Sequence, residues 1–323
     1  MNNMIGIRTP FRISFSGGST DLPSFYKKNG GKVISTSINK YMYHFIHKFD
    51  EKLIQIKYSE TELVDNPSEI KHKIVKEVAK EYDITGLDIN SIADIPKGSG
   101  LGSSSAYTVG LINGINLFSG SVLSKDLLAK KSAELEIYKL NEPIGKQDHY
   151  ACSYGGLNLI TFNKNDTVDV QPIKLEENGM NFLNSSFCLL KIGQTRSASN
   201  ILEKQNKLYK NETNKDTGIQ ILELVSSMFD AIKKYDIKEI GNLLSENWHL
   251  KRSLEKSVSS KEIDDLYEFV TKENGIYGAK LLGAGGGGYL LICGEPEKIK
   301  NLNYEQKTSF KFENTGSTII FQD

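Results

Sequence analysis

Residues 96–106 read PKGSGLGSSSA, three glycines and four serines in a run with too few apolar side chains to serve as core. Such a run can hold an anion. Glycine backbone approaches a phosphate with no Cβ in the way, and serine hydroxyls add donors or an oxygen ligand for magnesium. A helix start just beyond would add unpaired N–H groups and a partial positive charge. The apolar-periodic stretch Tyr107–Phe118 supplies that helix, and Leu87–Ile95 supplies a strand ahead of the turn. A linker or an oversized helix cap is the plainer alternative, but a linker seldom runs straight into a periodic helix. No Gly-Lys-Ser/Thr follows the glycines and Lys97 precedes them, so this is not a Walker loop. A second run, Gly283–Gly288, has five glycines in six residues, more than a hairpin turn requires. It would let the far end of the chain come close to the same phosphates or to a substrate.

These loops need a frame. Ile5–Thr9 and Arg12–Ser16 flank Pro10 as strands, and Lys32–Ile38, Tyr41–His47 and Lys52–Lys57 continue the β pattern. Helical spacing marks Ser68–Tyr82 and Lys125–Leu140, and Gly155–Phe162 returns to strand. Past Pro172 and a polar stretch at Lys174–Ser186 comes a strand at Phe187–Ile192. Helices follow over Ala198–Asp236, with a polar gap at Lys210–Gly218, and over Ile237–Leu250 and Glu262–Asn274. Strands Ala279–Leu282 and Tyr289–Cys293 bracket the glycine run, and Ser317–Phe321 closes the chain. The pattern is α+β rather than a βαβ series. It is expected as two domains, 1–175 carrying the phosphate loop and 176–323 carrying the second glycine run.

Composition narrows the function classes. The 323 residues carry 40 Lys+Arg against 40 Asp+Glu, so no cationic excess exists to neutralise a nucleic acid or a membrane surface. No apolar run reaches the length of a membrane span, and Met1–Pro10 lacks the apolar centre of a signal peptide. Three scattered cysteines, Cys152, Cys188 and Cys293, fit a reducing compartment without a disulfide frame, and a cytoplasmic location is expected. His44 and His47 fall on opposite faces of a strand and cannot share a metal. Trp248 reads as helix core, and no cysteine has a histidine at recognisable spacing for thiol chemistry.

The stretch Pro-x-Gly-x-Gly-Leu-Gly-Ser-Ser-x-Ala resembles the second motif of the GHMP kinases, the family of galactokinase, homoserine kinase, mevalonate kinase and phosphomevalonate kinase. RTPFRISFSGGSTDLP, residues 8–23, is similar to that family's first motif, and KLLGAGGGGYLL, residues 280–291, to its third. Three motifs in the right order span most of the chain. Within the family, EPIGKQDHYACSYGGLN, residues 142–158, and the SGGSTDLP form of the first motif resemble the D-glycero-D-manno-heptose 7-phosphate kinases. Galactokinases would show Gly-Glu-His where this chain has Gly17-Gly18-Ser19. The resemblance implies a two-domain GHMP kinase fold, with an N-terminal ribosomal-protein-S5-like and a C-terminal ferredoxin-like domain. It implies an ATP-dependent enzyme acting on the anomeric C1 hydroxyl of the heptose 7-phosphate. The 1,7-bisphosphate would serve nucleotide-activated heptose biosynthesis for surface polysaccharide.

The resemblance also implies roles, with ATP and Mg2+ as cofactors. Pro96, Gly98, Ser99, Gly100, Leu101, Gly102, Ser103, Ser104 and Ser105 would hold the nucleotide. Ser104 and Glu136 would supply oxygens to magnesium. Glu134, two residues away on a helix, points elsewhere, and a solvated helix face is the plainer reading of this acidic segment. Asp148 would orient or deprotonate the substrate hydroxyl, a helix cap being the alternative. Arg12 would be the cation near the moving phosphoryl, and Arg8, four residues earlier on a strand, would share its face. Ser16, Gly17, Gly18, Ser19, Thr20 and Asp21 would meet the sugar, with Asp21 as acceptor for its hydroxyls or as a cap. Lys146, Gly285 and Gly286 would join them. The sugar's own phosphate would fall to Lys146, Lys191, Arg196 or a helix start within Thr195–Asn200. His149 is expected to be structural. The expected partner is a small-molecule sugar phosphate, without nucleic acid or membrane; oligomeric state stays open, a homodimer being the form considered. Another sugar 1-kinase such as a fucokinase competes, as does a non-catalytic nucleotide- and sugar-binding paralogue. A sensor would have no need to keep Arg12, Glu136 and Asp148 together.

Overall fold

The computed structural model describes residues 3–50, 52–193 and 198–323. The chain opens on β1 (Met4–Ser16), α1 (Pro23–Asn29), β2 (Gly31–Lys48), β3 (Ile54–Lys57), β4 (Thr61–Val64), α2 (Lys73–Glu81) and β5 (Leu87–Ala93). Next come α3 (Ser103–Phe118), α4 (Lys125–Glu134), α5 (Gln147–Tyr154), β6 (Leu157–Phe162) and β7 (Val168–Pro172). They are followed by α6 (Glu177–Ser185), β8 (Phe187–Ile192), α7 (Ala198–Lys210), α8 (Lys215–Lys233), α9 (Ile237–Leu254) and α10 (Lys261–Thr271). The chain ends with β9 (Ile276–Leu281), β10 (Gly288–Gly294), α11 (Pro296–Asn301), β11 (Lys307–Thr308) and β12 (Thr318–Gln322).

Two sheets organise these elements in the α+β manner expected. One runs β12-β1-β2-β5-β3-β4, with β6 on the first half of β2 and β7 beyond it; β3 and β5 are its parallel pair. The other runs β11-β8-β10-β9, antiparallel throughout. The closing strand does not join this second sheet. It returns to pair with β1 along Ile5–Arg8.

The strands expected on either side of Pro10 are one strand. Pairing with β12 ends at Arg8, and the register against β2 slips between Pro10 and Phe11. Proline therefore sits where the ladder is already interrupted. The same slip absorbs Asn39 and Lys40, so β2 is also one bent strand. Short elements such as β4, β7, α6 and α11 carry too few residues to display a period. The eight residues of α5 are mostly buried and lack the two-sided contrast that marks a surface helix.

One core joins the sheets. Phe11, Ile13 and Phe15 of β1 belong to the same cluster as Ile112 of α3, Leu189 of β8 and Met228 of α8. A second cluster, including Trp248, Ile263, Leu281 and Ile292, lies between the second sheet and α9 and α10. Loops at the junction of the sheets are thus carried on packed elements. No described helix is long and apolar enough to cross a membrane.

Candidate active site

The 95–102 loop, the first turn of α3, the turn after β1, the start of α5, the end of α9 and the Leu282–Gly287 loop open on one cavity of about 890 Å3. That volume suits a small-molecule site. Ile74, Ile92 and Ile95 line it together with His72, which stacks on Tyr107 at 4.7 Å between ring centroids. This apolar and aromatic recess suits a nucleobase.

The glycine-rich 96–102 loop and the start of α3 line the cavity. Gly102 takes a left-handed φ of 78° and caps α3, which starts at Ser103 rather than at Tyr107. The amides of Ser103, Ser104 and Ser105 are therefore first-turn donors without helical acceptors. Arg12 fixes the loop from beneath: its backbone N–H donates to the Leu101 carbonyl at 3.0 Å and its Nη1 to the Gly100 carbonyl at 2.7 Å. The Leu101 N–H donates to Ser99 Oγ at 3.3 Å. Ser99 and Leu101 are buried in this support, while Pro96, Gly98, Gly100, Gly102 and Ser103–Ser105 line the cavity. The second glycine run closes on the first. A Cβ on Gly100 would lie 2.6 Å from the Leu282 carbonyl oxygen, and one on Gly283 would meet the Cα of Gly100.

Arg12 also grips Asp148, the second residue of α5. Nε donates to Oδ1 at 2.6 Å and Nη2 to Oδ2 at 2.7 Å. The carboxylate lies against the loop, where a Cβ on Gly102 would come within 3.3 Å of Asp148 Oδ2. Each oxygen accepts one charge-assisted bond and keeps further acceptor capacity.

Glu136 comes from a π-helical turn, Leu135–Lys139, that continues α4 and turns Glu136 inward while Glu134 stays exposed. Ser104 Oγ donates to Glu136 Oε2 at 2.7 Å, and His149 Nε2 lies 3.1 Å from Oε1. Burial pushes this carboxyl up, but the hydrogen bond and charge of His149 and the hydroxyls of Ser104 and Thr108 outweigh it and hold it below the ordinary carboxylate value. A hydroxyl and an ionised carboxylate, both lining the cavity at the helix start, fit a small hard cation such as Mg2+. Among the described residues no group of three His, Cys, Asp or Glu could hold a metal, so waters and phosphate oxygens would complete the shell. His149 is buried and expected as structural; its partner is this carboxylate.

Asp21 accepts from the Gln147 backbone N–H at 3.2 Å, Gln147 Nε2 at 3.1 Å and the Ser19 N–H at 3.2 Å. Burial and the neighbouring Asp148 push its carboxyl up to about 6, against the opposing pull of Gln147 and Arg12. Gly18 and Ser19 line the cavity with it. Ser16, Gly17 and Thr20 stand behind: Thr20 Oγ1 donates to the Gly17 carbonyl at 2.7 Å and the Lys32 carbonyl at 3.0 Å, so this hydroxyl locks the turn.

Several expected residues are elsewhere. Arg8 does not reach the cavity, because four residues of strand span about 13 Å. It lies over the Tyr41 ring at 4.4 Å and pairs with Glu313 at 3.8 Å. Lys146 turns to Asp166 at 2.6 Å and the Tyr26 ring at 5.4 Å, tying the start of α5 to the β6–β7 turn. Gly285 lines the main cavity, whereas Gly286 opens on a second cavity of about 830 Å3 that Lys191 also lines. Thr195 and Arg196 lie outside the described residues. Two lysines that spacing did not single out, Lys251 and Lys280, line the main cavity and are buried.

A model of the GHMP kinase N-terminal domain matches residues 69–156, and a model of the GHMP kinase C-terminal region matches residues 228–302. The chain belongs to the GHMP kinases. Like the sugar kinases among its relatives, this GHMP kinase is an ATP-dependent enzyme acting on a small molecule. It is 28% identical, over 92% of its own length and 91% of the other's, to the D-glycero-alpha-D-manno-heptose 7-phosphate kinase of Campylobacter jejuni. It is 27% identical over 95% of its length to the bifunctional fucokinase/GDP-fucose pyrophosphorylase of Arabidopsis thaliana, of which the match spans 31%. Its fold matches the crystal structure of a D-glycero-D-manno-heptose 1-phosphate kinase from Bacteroides thetaiotaomicron with a TM-score of 0.79 at 22% identity, covering 98% and 99% of the two chains.

Proposed function

We propose that this GHMP kinase transfers the γ-phosphoryl group of ATP to the anomeric C1 hydroxyl of D-glycero-D-manno-heptose 7-phosphate. The product would be the 1,7-bisphosphate, an intermediate toward nucleotide-activated heptose for surface polysaccharide. The observation that carries the transfer reaction is the Arg12–Asp148 fork placed against Gly102 of the phosphate loop. The sugar is supported by likeness to the Campylobacter jejuni enzyme over nine-tenths of both chains, and by Gly17-Gly18-Ser19 in place of the galactokinase Gly-Glu-His.

In this reading the base of ATP occupies the recess at His72 and Tyr107, and the triphosphate runs across Gly98–Gly102 to the first-turn amides of α3. Ser104 and Glu136 would hold Mg2+, which when bound neutralises phosphate oxygens. Asp21, Gly18 and Ser19 would receive the sugar. Asp148 would face its reacting hydroxyl and take the proton as the oxygen attacks.

The test is turnover on a panel of sugars and sugar phosphates, followed by 31P and 13C NMR of the product. Heptose 7-phosphate as best substrate, with new phosphate on C1, supports the reading. Preference for fucose, or phosphate added at another carbon, contradicts it. The carbon matters because the two heptose phosphate kinases that this chain resembles are named for different phosphate positions, 7 and 1.

A further inference from the structure

Among the described residues, Lys251 and Lys280 are the buried lysines that line the cavity, and unlike Arg12 neither is paired with a carboxylate. Lys251 sits on the buried stripe of α9 with Ile240, Leu244, Asn247 and Leu254, and is 5% exposed; Lys280 on β9 is 2% exposed. A buried ammonium ordinarily has a carboxylate beside it. Among the described residues neither lysine forms an ion pair. Lys280 Nζ donates to the carbonyls of Ser14 at 3.1 Å and Phe15 at 3.0 Å, which makes it a strut between β9 and β1. Lys251 Nζ donates to the carbonyl of Gly283, and an ammonium has three donors.

The place of that bond is informative. Gly283 packs backbone to backbone on Gly100, and Arg12 donates to the Gly100 carbonyl at 2.7 Å. Lys251 and Arg12 therefore reach one junction of the two glycine loops, from α9 and from β1. The charge of Arg12 is matched there by Asp148. Among the described residues no carboxylate is hydrogen-bonded to Lys251.

We propose that Lys251 is a further catalytic residue of this kinase, the unmatched cation that contacts the γ-phosphoryl group during transfer. In that step the sugar hydroxyl oxygen bonds to the γ-phosphorus. The bond from that phosphorus to the bridging oxygen breaks, its electron pair leaves on ADP, and the hydroxyl proton passes to Asp148. Lys251 gives up no proton; its ammonium meets the negative charge spread over the phosphoryl oxygens, in a site where burial strengthens the attraction. The proposal rests on kinase chemistry and is independent of which sugar is accepted. The charged groups facing Lys251 are Arg12 of β1, Asp21 after it, Asp148 of α5 and Lys280 of β9. Burial and then Arg12 bring its amine down to about 8 while Asp21 and Asp148 oppose them, so it is charged at neutral pH and neutral above that value.

The experiment compares Lys251→Met and Lys251→Arg with the wild-type chain in steady-state kinetics, using ATP and the best sugar of the panel, and in binding of a non-hydrolysable ATP analogue. Lys251→Met is expected to lower kcat about 10²–10³-fold while analogue affinity changes little. Lys251→Arg is expected to restore much of the loss. The wild-type kcat should fall as pH rises through about 8, and Lys251→Arg should carry that limb upward. Near-normal kcat in the Met variant overturns the proposal. Equal losses in both variants with an unmoved limb also overturn it, leaving a structural lysine. If the Met variant does not fold, the position of the limb in wild type and Lys251→Arg decides alone.

Discussion

Arg12 and Asp148, 136 residues apart in the chain, meet through two parallel bonds, Nε to Oδ1 at 2.6 Å and Nη2 to Oδ2 at 2.7 Å. The fork sets the plane of the carboxylate beside the phosphate loop, since the third arm of the same guanidinium holds the Gly100 carbonyl. Positioning of this kind is most of what phosphoryl transfer asks of a protein.

Asp148→Asn keeps one acceptor for the fork but would remove the proposed proton acceptor. Turnover should drop about 10²–10⁴-fold while ATP-analogue affinity, measured by calorimetry, stays near wild type. Alanine is the poorer test. It would strand a guanidinium that is 4% exposed, at a cost of about 3–5 kcal/mol. Wild-type turnover in the Asn variant would remove Asp148 from the chemistry.

Asp21 has a pH signature of its own. Its carboxyl lies at about 6 in the fold against an ordinary 3.8, raised first by burial and then by Asp148. A raised carboxyl favours the fold when protonated. That contribution is complete below 3.8 and is lost as pH rises through 6. Between about pH 4 and pH 7, thermal unfolding of wild type should lose up to about 3 kcal/mol relative to Asp21→Asn. Parallel stability curves would contradict the burial argument. In kinetics, Asp21→Ala should raise KM for the sugar with little change in KM for ATP; equal effects on both would remove Asp21 from sugar binding.

The Ser104–Glu136–His149 chain bears on magnesium. Ser104→Ala and Glu136→Gln should raise the Mg2+ concentration giving half-maximal rate. His149→Phe, which removes a hydrogen bond to Glu136 without touching the cavity, should do so about 10-fold or more. Magnesium dependence unchanged in all three variants would place the ion elsewhere.

Residues tied to backbone geometry were legible from the sequence. Gly100 and Gly283 have to be glycine because the Leu282 carbonyl and the Gly100 Cα crowd them, and Gly102 because its φ is left-handed; the glycine clustering in 98–102 is what pointed to phosphate binding. Helical phase sends Glu134 and Glu136 different ways without saying which faces inward; the resemblance favoured Glu136, and the π turn buries it while Glu134 stays exposed. Arg8 was misplaced because a two-residue period gives a face but not the 13 Å or so that four residues of strand cover. Lys146 was misplaced because its partner, Asp166, belongs to a turn that no local pattern links to α5. Lys251 was missed because a lysine reads as solvated and the helix was expected to end at Leu250. Its trace was its place on the stripe of Ile240, Leu244, Asn247 and Leu254.

The central claim is that the amides beginning α3, behind Gly98–Gly102, hold the β- and γ-phosphates of ATP beside the Arg12–Asp148 fork. A crystal structure with a non-hydrolysable ATP analogue and Mg2+ tests it most directly. The claim predicts β- and γ-phosphate oxygens within hydrogen-bond distance of the backbone N–H groups of residues 102–105, with Lys251 Nζ on the γ-phosphate side. A triphosphate bound elsewhere, with this loop empty, would contradict it.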